Sequence, residues 1–446
     1  MNFKKYFKDK KVTVMGLGLL GRGVGDAEFL ARQGVELIVT DLKTEEELAL
    51  SLERLKKYND IVFHLGEHKL EDFRGRDFIL KAAGVPLDSP FIVEARKNGI
   101  PIEMDASLFA KLAPKTTLIG VTGTRGKSTT SALIFEILKH AGRNVFWAGN
   151  IKDTATLPLL EEVKAGDIVV MELDSWQLQG FGEAKLSPHI AVFTTFFPDH
   201  MNYYGGSMEK YFGDKSNIFK FQKDNDVFVV GSQAFEHMKK GQVPNNVVLA
   251  DSEDISLAWK LKIPGEHNRY NAACALAAVR ALGIADAIAR EGIEEFGGVE
   301  GRLQFIKETK GVKIYNDTTS TTPDATIAAL RAVGDKSLKR IVLIVGGDDK
   351  LLDMSGLVTE IPKWCSKVVL FKERGTERIR DDIFALKDKG IEVYEEEGLE
   401  ETVRRVLSVA VSGEIILYSP AFSSFGKYFK NEFDRGEQFE KIVKNL

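Results

Sequence analysis

The chain has 446 residues, 28% of them charged and 44% hydrophobic, with a formal net charge of -4. That length suits about three domains, each able to bury a core. The near-neutral balance excludes nucleic-acid binding through bulk charge and leaves small anionic ligands to local donors. Two cysteines, Cys274 and Cys365, lie far apart with no CxxC neighbour. This signals neither a disulfide framework nor a zinc site and fits a reducing, cytoplasmic setting. No run of about 18 apolar residues marks a membrane span. The basic opening MNFKKYFKDKK lacks the apolar stretch of a secretion signal, so the lysines among residues 4–11 read as a solvated leader.

In chain order, KVTVMGLGLLGRG predicts a short β-branched strand running into glycines. A helix over GDAEFLARQG follows, then the strands VELIVTD, DIVFHLG and DFILKAAG and a helix around FIVEARKNG. Such alternation predicts a parallel sheet covered on both faces. KLAPKTT, near Pro114, marks the first boundary. A second unit opens with the strand TTLIGVTG and a long helix, KSTTSALIFEILKHAG, and continues with the strands DIVVMEL, HIAVFTTF and DVFVVG and a helix around HNRYNAACALAAVRALG. A third begins near Gly301, with strands VKIYND, RIVLIVGG, KVVLF and EIILYS and a helix over TPDATIAALRAVG. The acidic run EEEGLEE, residues 395–401, reads as a solvated turn and helix start. The predicted domains are 1–113, 114–298 and 299–446.

The strongest chemical signal is T-G-T-R-G-K-S, residues 122–128, between a predicted strand and helix. Gly123 and Gly126 let backbone N–H groups approach phosphate oxygens, and the helix dipole favours an anion. Lys127 would reach the terminal phosphates and the Ser128 hydroxyl a magnesium ion. Val121 stands where the full phosphate-loop pattern has glycine, so this is a shortened form. Upstream, G-L-G-L-L-G (Gly16, Gly18, Gly21) with Asp41 closing the next strand fits a dinucleotide-type pocket. Either a nicotinamide cofactor or a nucleotide-linked substrate satisfies it; a tight structural turn also would.

These motifs, with Glu172 in MELDSWQL, Asp199-His200 in FFPDHMNYY, Lys215 in YFGDKSNIF, HNRYNA, Arg302, YND and SPAFSSFGKYFKNEFDRG, occur in an order that resembles the Mur ligases, which build the peptide stem of peptidoglycan. The opening and closing motifs are most similar to the D-glutamate-adding branch. The resemblance spans essentially the whole chain. It implies an α/β fold of three domains: a Rossmann-like N-terminal domain for a UDP-linked substrate, a central phosphate-loop ATPase-type domain, and a Rossmann-like C-terminal domain for the amino acid. It further implies ATP and two magnesium ions as cofactors, UDP-N-acetylmuramoyl-L-alanine and D-glutamate as substrates, and a monomer that neither binds nucleic acid nor enters a membrane.

Carried over residue by residue, it assigns Gly18, Leu19, Leu20, Asp41 and Asn150 to the UDP-linked substrate, and Gly123, Thr124, Arg125, Gly126, Lys127, Ser128 and Thr129 to ATP phosphates. Asn268, Asn271, Arg302 and Asp317 would also meet ATP, while Lys350 and Ser424 would hold the incoming amino acid. Ser128, Glu172, His200 and Lys215 would serve magnesium, with Lys215 N-carboxylated and Lys127, His200 and Lys215 catalytic. Three positions depart from the pattern: Asp174 for serine, Gly301 for histidine and Thr319 for lysine. The residues leave open L-alanine as the amino acid, or a non-catalytic nucleotide-binding subunit.

Overall fold

The computed structural model describes residues 3–19, 21–239, 241, 243–424 and 426–445. Its strands form three sheets. The first comprises β1 (Lys11–Met15), β2 (Glu36–Asp41), β3 (Ile61–Leu65), β4 (Phe78–Lys81) and β5 (Ile102–Glu103), in the order β3-β2-β1-β4-β5. The second comprises β6 (Thr117–Thr122), β7 (Val145–Gly149), β8 (Ile168–Glu172), β9 (Ile190–Phe193), β10 (Val227–Gly231) and β11 (Val247–Ala250), in the order β11-β10-β9-β6-β8-β7. Every pairing in both sheets is parallel.

The third sheet holds β12 (Gln304–Thr309), β13 (Val312–Asn316), β14 (Ile341–Val345), β15 (Cys365–Phe371), β16 (Glu392–Glu396) and β17 (Ile415–Tyr418), ordered β12-β13-β17-β14-β15-β16. Only β12 runs antiparallel to its neighbour. The central strands are buried along most of their length, and wholly so in IVVME of β8 and IVLIV of β14. Helices cover both faces of such sheets, which is why these strands read as unbroken apolar runs.

By compactness the chain forms two units, residues 1–259 with 270–293, and residues 260–269 with 294–446. The first holds the first two sheets and the second holds the third. In the first unit the helix Arg22–Arg32 turns one stripe toward the segment 150–161. Arg22 bonds Asn150, a Cβ on Gly25 would stand 2.5 Å from Ala155 Cβ, Asp26 accepts from Leu157 N–H, and Arg32 pairs with Glu161. Positions three and four apart share a helix face, so this seam runs the length of the helix.

All twelve predicted strands are present. Two expectations change. The basic leader contains a helix, Phe3–Phe7, whose Phe7 is fully buried edge-on against Phe29. Glu395 and Glu396, expected in a solvated turn, instead close β16 opposite Leu370 and Phe371; the helix starts at Leu399. An edge strand tolerates such charge because one side stays in water. Among the described residues no helix is long and apolar enough to cross a membrane.

Candidate active site

In open parallel sheets, ligands bind beyond the carboxyl ends of strands where the strand order reverses. In the first sheet that point lies between β1 and β4. The glycine-rich turn leaves β1 there, and Gly16, Gly18 and Gly21 all adopt positive φ. Asp41, at the end of β2, accepts from the N–H groups of Leu17 (2.8 Å) and Gly18 (3.1 Å) and so shapes the turn. A cleft of about 190 Å³ opens here, lined among others by Gly18, Leu19, Arg22, Asp26, Lys81 and Gln177. Leu20 lies outside the described residues.

Several polar groups of this cleft were not foreseen. Lys81 is 2% exposed and donates to the carbonyls of Ala82, Ala83 and Val85; burial lowers its pKa to about 8. Burial, then the nearby Asp105, pushes Asp26 well above the usual carboxylate range. Gln177 is 1% exposed, and its Nε2 has no acceptor among the described residues. No short sequence motif joins these residues: Asp26 lies in the helix after β1, Lys81 ends β4, and Gln177 lies in the helix after β8.

In the second sheet, β6 ends at Thr122 between β8 and β9, with Val121 level with Glu172 and Thr122 level with Phe193. The loop 123–126 therefore emerges between the ends of its neighbours. Gly126 has φ 87° and begins the helix Lys127–His140 with no side-chain cap. A Cβ there would stand 2.3 Å from Asn271 Oδ1, so a side chain is barred both by backbone and by space. Thr124 N–H donates to Thr195 O, and Arg125 N–H to Thr195 Oγ1, which ties the loop to the segment after β9. Thr129 is buried in the first helical turn.

Around the loop gather the other assigned groups of this unit. Lys127 Nζ donates to Gly123 O at 3.1 Å and Thr124 O at 3.2 Å. Lys215 is 1% exposed, donates to the same Gly123 oxygen at 2.9 Å, and lies 4.9 Å from the Tyr211 ring centroid. Burial, then the Lys127 charge, depresses the Lys215 pKa well below that of an ordinary lysine. Glu172 is 4% exposed, with Asn150 Nδ2 3.3 Å from its Oε1. His200, with φ 54°, packs its ring 4.6 Å from Trp176, and burial lowers its pKa. Burial alone would raise Asp199, but Arg125 at 2.8 Å, aided by His200, holds it far below the usual range. Asp174 caps the helix Ser175–Ala184: its Oδ1 accepts from Gln177 N–H at 2.7 Å in a reciprocal capping box. Aspartate and serine are equally good caps, which accounts for that departure.

The donor set suits magnesium. Among the described residues no three or more His, Cys, Asp or Glu side chains gather into a metal cage. Magnesium is usually held by one or two carboxylates together with phosphate oxygens and water, and the Ser128 hydroxyl and Glu172 carboxylate beside a phosphate loop are hard oxygen donors of that kind.

In the second unit, Asp317 follows β13 and is buried, its oxygens accepting from Leu303 N–H (3.0 Å) and Ser419 Oγ (2.7 Å); burial raises its pKa to about 6. Arg302 is half-buried. Asn268 donates to Pro264 O. Lys350 Nζ reaches Thr321 Oγ1 at 2.9 Å, and Ser424 Oγ is buried with no partner among the described residues. The remaining two departures meet one another. Thr319 Oγ1 donates to Gly301 O at 2.8 Å, and a Cβ on Gly301, whose φ is 70°, would stand 3.0 Å from Thr319 Cγ2. A histidine at 301 would therefore crowd this threonine.

Comparison with known proteins agrees with this architecture. Residues 10–103 match the model of the Mur ligase MurD-like N-terminal domain, 121–248 the Mur ligase middle domain, and 301–422 the Mur ligase glutamate ligase domain. The UDP-N-acetylmuramoylalanine–D-glutamate ligase of Roseiflexus sp. (strain RS-1) is 36% identical, over 98% of this chain and 99% of the relative. The protein of that name from Borreliella burgdorferi (strain ZS7) is 33% identical, over 98% of both. The solved UDP-N-acetylmuramate–alanine ligase of Thermotoga maritima shares the fold, with a TM-score of 0.64 at 22% identity over 98% of this chain and 99% of that one. The chain belongs to the Mur ligase family.

Proposed function

We propose that this chain is an ATP- and magnesium-dependent amide ligase that joins D-glutamate to UDP-N-acetylmuramoyl-L-alanine in the cytoplasm. The observation that carries the reading is full-length similarity, at 31–36% identity, to proteins bearing that activity in their names. The likeness to the alanine ligase, at 22%, speaks for the fold alone. In this reading residues 1–113 take the UDP-linked substrate, 114–298 ATP and 299–446 the amino acid.

The chemistry follows from the groups described. The glycine-rich turn and Asn150 hold the UDP-linked substrate, and the loop 123–129 offers backbone N–H groups to the ATP phosphates. A carboxylate oxygen of the alanyl group attacks the γ-phosphorus and ADP leaves. Lys127 moves from the loop carbonyls to the charge growing on the transferred group. The amine of D-glutamate, its carboxylates met by Lys350 and Ser424, then attacks the acyl carbon. The amide forms, the amine loses a proton, and phosphate departs with the carboxylate oxygen. Ser128 and Glu172 would hold one magnesium ion and His200 and Lys215 a second, which would offset phosphate charge.

For Lys215 the reading includes N-carboxylation. Burial, with the Lys127 charge, disfavours the ammonium form of this amine, and the neutral form's lone pair can attack CO2, losing a proton to give a carbamate. An anionic oxygen donor replaces a cation that would repel the metal.

The test is phosphate release from Mg-ATP with UDP-N-acetylmuramoyl-L-alanine and a panel of L- and D-amino acids. Release with D-glutamate alone is expected. Release only with UDP-N-acetylmuramic acid and L-alanine would move the chain to the alanine-adding activity; no release with any pair would leave a nucleotide-binding protein without turnover.

A further inference from the structure

We propose that Arg22 is a positioning residue for the UDP-linked substrate, clamping Asn150 between the glycine-rich turn and Glu172. The proposal rests on the functional reading above and adds a residue which that reading does not contain.

Arg22 is the first residue of its helix, directly after Gly21, and lines the cleft at the end of β1. Its NH1 donates to Asn150 Oδ1 at 2.7 Å, and Asn150 Nδ2 donates to Glu172 Oε1 at 3.3 Å. The backbone fixes the same stretch, with Asn150 N–H bonded to Glu172 O at 2.8 Å. A carboxamide can turn over and present either end. A guanidinium, which can only donate, settles which end is which: the oxygen faces Arg22 and the nitrogen faces Glu172. One Asn150 hydrogen goes to Glu172, and the other is left for an acceptor on the ligand. Gln177 also lines the cleft, and its buried amide nitrogen has no acceptor among the described residues.

A plainer role is neutralisation of the buried carboxyls Asp26 and Asp105, both of which feel the Arg22 charge. The two roles differ in what they do to Asn150. If Arg22 acts through Asn150, removing one makes removal of the other nearly silent.

The experiment measures calorimetric affinity for UDP-N-acetylmuramoyl-L-alanine, without nucleotide or metal, in the wild type, Arg22→Met, Arg22→Lys, Asn150→Ala and the Arg22→Met/Asn150→Ala double variant. Loss of a charge-assisted bond predicts that Arg22→Met weakens binding about tenfold to a hundredfold. Arg22→Lys should fall between it and the wild type. In the Asn150→Ala background Arg22→Met should cost under about threefold, and Mg-ATP affinity should also move by less than about threefold. Unchanged affinity in Arg22→Met, or single losses that multiply in the double variant, would overturn the proposal while wild-type binding upholds the functional reading. A wild type with no affinity for this nucleotide would sink both.

Discussion

Lys127 and Lys215 donate to one carbonyl oxygen, that of Gly123, from opposite directions in sequence. Two ammonium groups on one acceptor repel, and the buried one gives way, so Lys215 is the group whose proton is easily lost. In the proposed reading this lets a lysine sit beside the oxygens that would hold magnesium without opposing the metal. Lys215→Ala should lower turnover by about a hundredfold or more, and added formate or acetate should restore part of it by supplying the missing anionic oxygen. Steady-state rates with and without the short carboxylate check this; wild-type rates in the variant would remove Lys215 from the site. Legibility at this scale depended on contiguity. Lys127 and Ser128 were plain because their loop is one unbroken string. Lys215 had the look of a surface lysine and is 1% exposed. Arg22 carried no signal, since its partner lies 128 residues further on. Asp174, Gly301 and Thr319 looked like departures; the structure makes the first a helix cap and the other two a contact pair.

At the scale of elements, what the sequence hid has a common character. The five strands that apolar pattern did not mark, β5, β7, β11, β12 and β16, are all sheet edges. An edge strand is buried on fewer sides, so its side chains need not alternate or run apolar, and their burial is correspondingly mixed. The five helices named from the sequence are present, but others, such as Ser175–Ala184, Met208–Ser216 and Glu432–Asn445, were not read, and neither were the faces that helices turn to one another. The stripe of Arg22–Arg32 that meets residues 150–161 is made of glycine and polar groups, which a search for apolar periodicity passes over. Its tightest point is testable. Gly25→Val would drive a side chain into Ala155, whose Cβ is 2.5 Å from where the new Cβ would stand. Overpacking of this kind costs about 1–3 kcal/mol, and the same seam carries Asn150. The variant should therefore melt at lower temperature, by calorimetry, and bind the UDP-linked substrate more weakly. A valine variant as stable as the wild type would mean that the helix does not lie so close.

Over the whole molecule, three sheets repeat one physical arrangement: strands buried on both faces whose carboxyl ends carry glycine-rich or acidic turns. The loop 123–126 is the sharpest instance, and in the proposed reaction it holds the ATP γ-phosphate. If the substrate carboxylate takes that phosphoryl group before the amine arrives, one carboxylate oxygen must leave with phosphate. Turnover of UDP-N-acetylmuramoyl-L-alanine labelled with oxygen-18 in its carboxylate, with D-glutamate and Mg-ATP, should release inorganic phosphate carrying one labelled oxygen by mass spectrometry. Phosphate released during amide formation without the label would contradict the acyl phosphate and the ligase chemistry built on it.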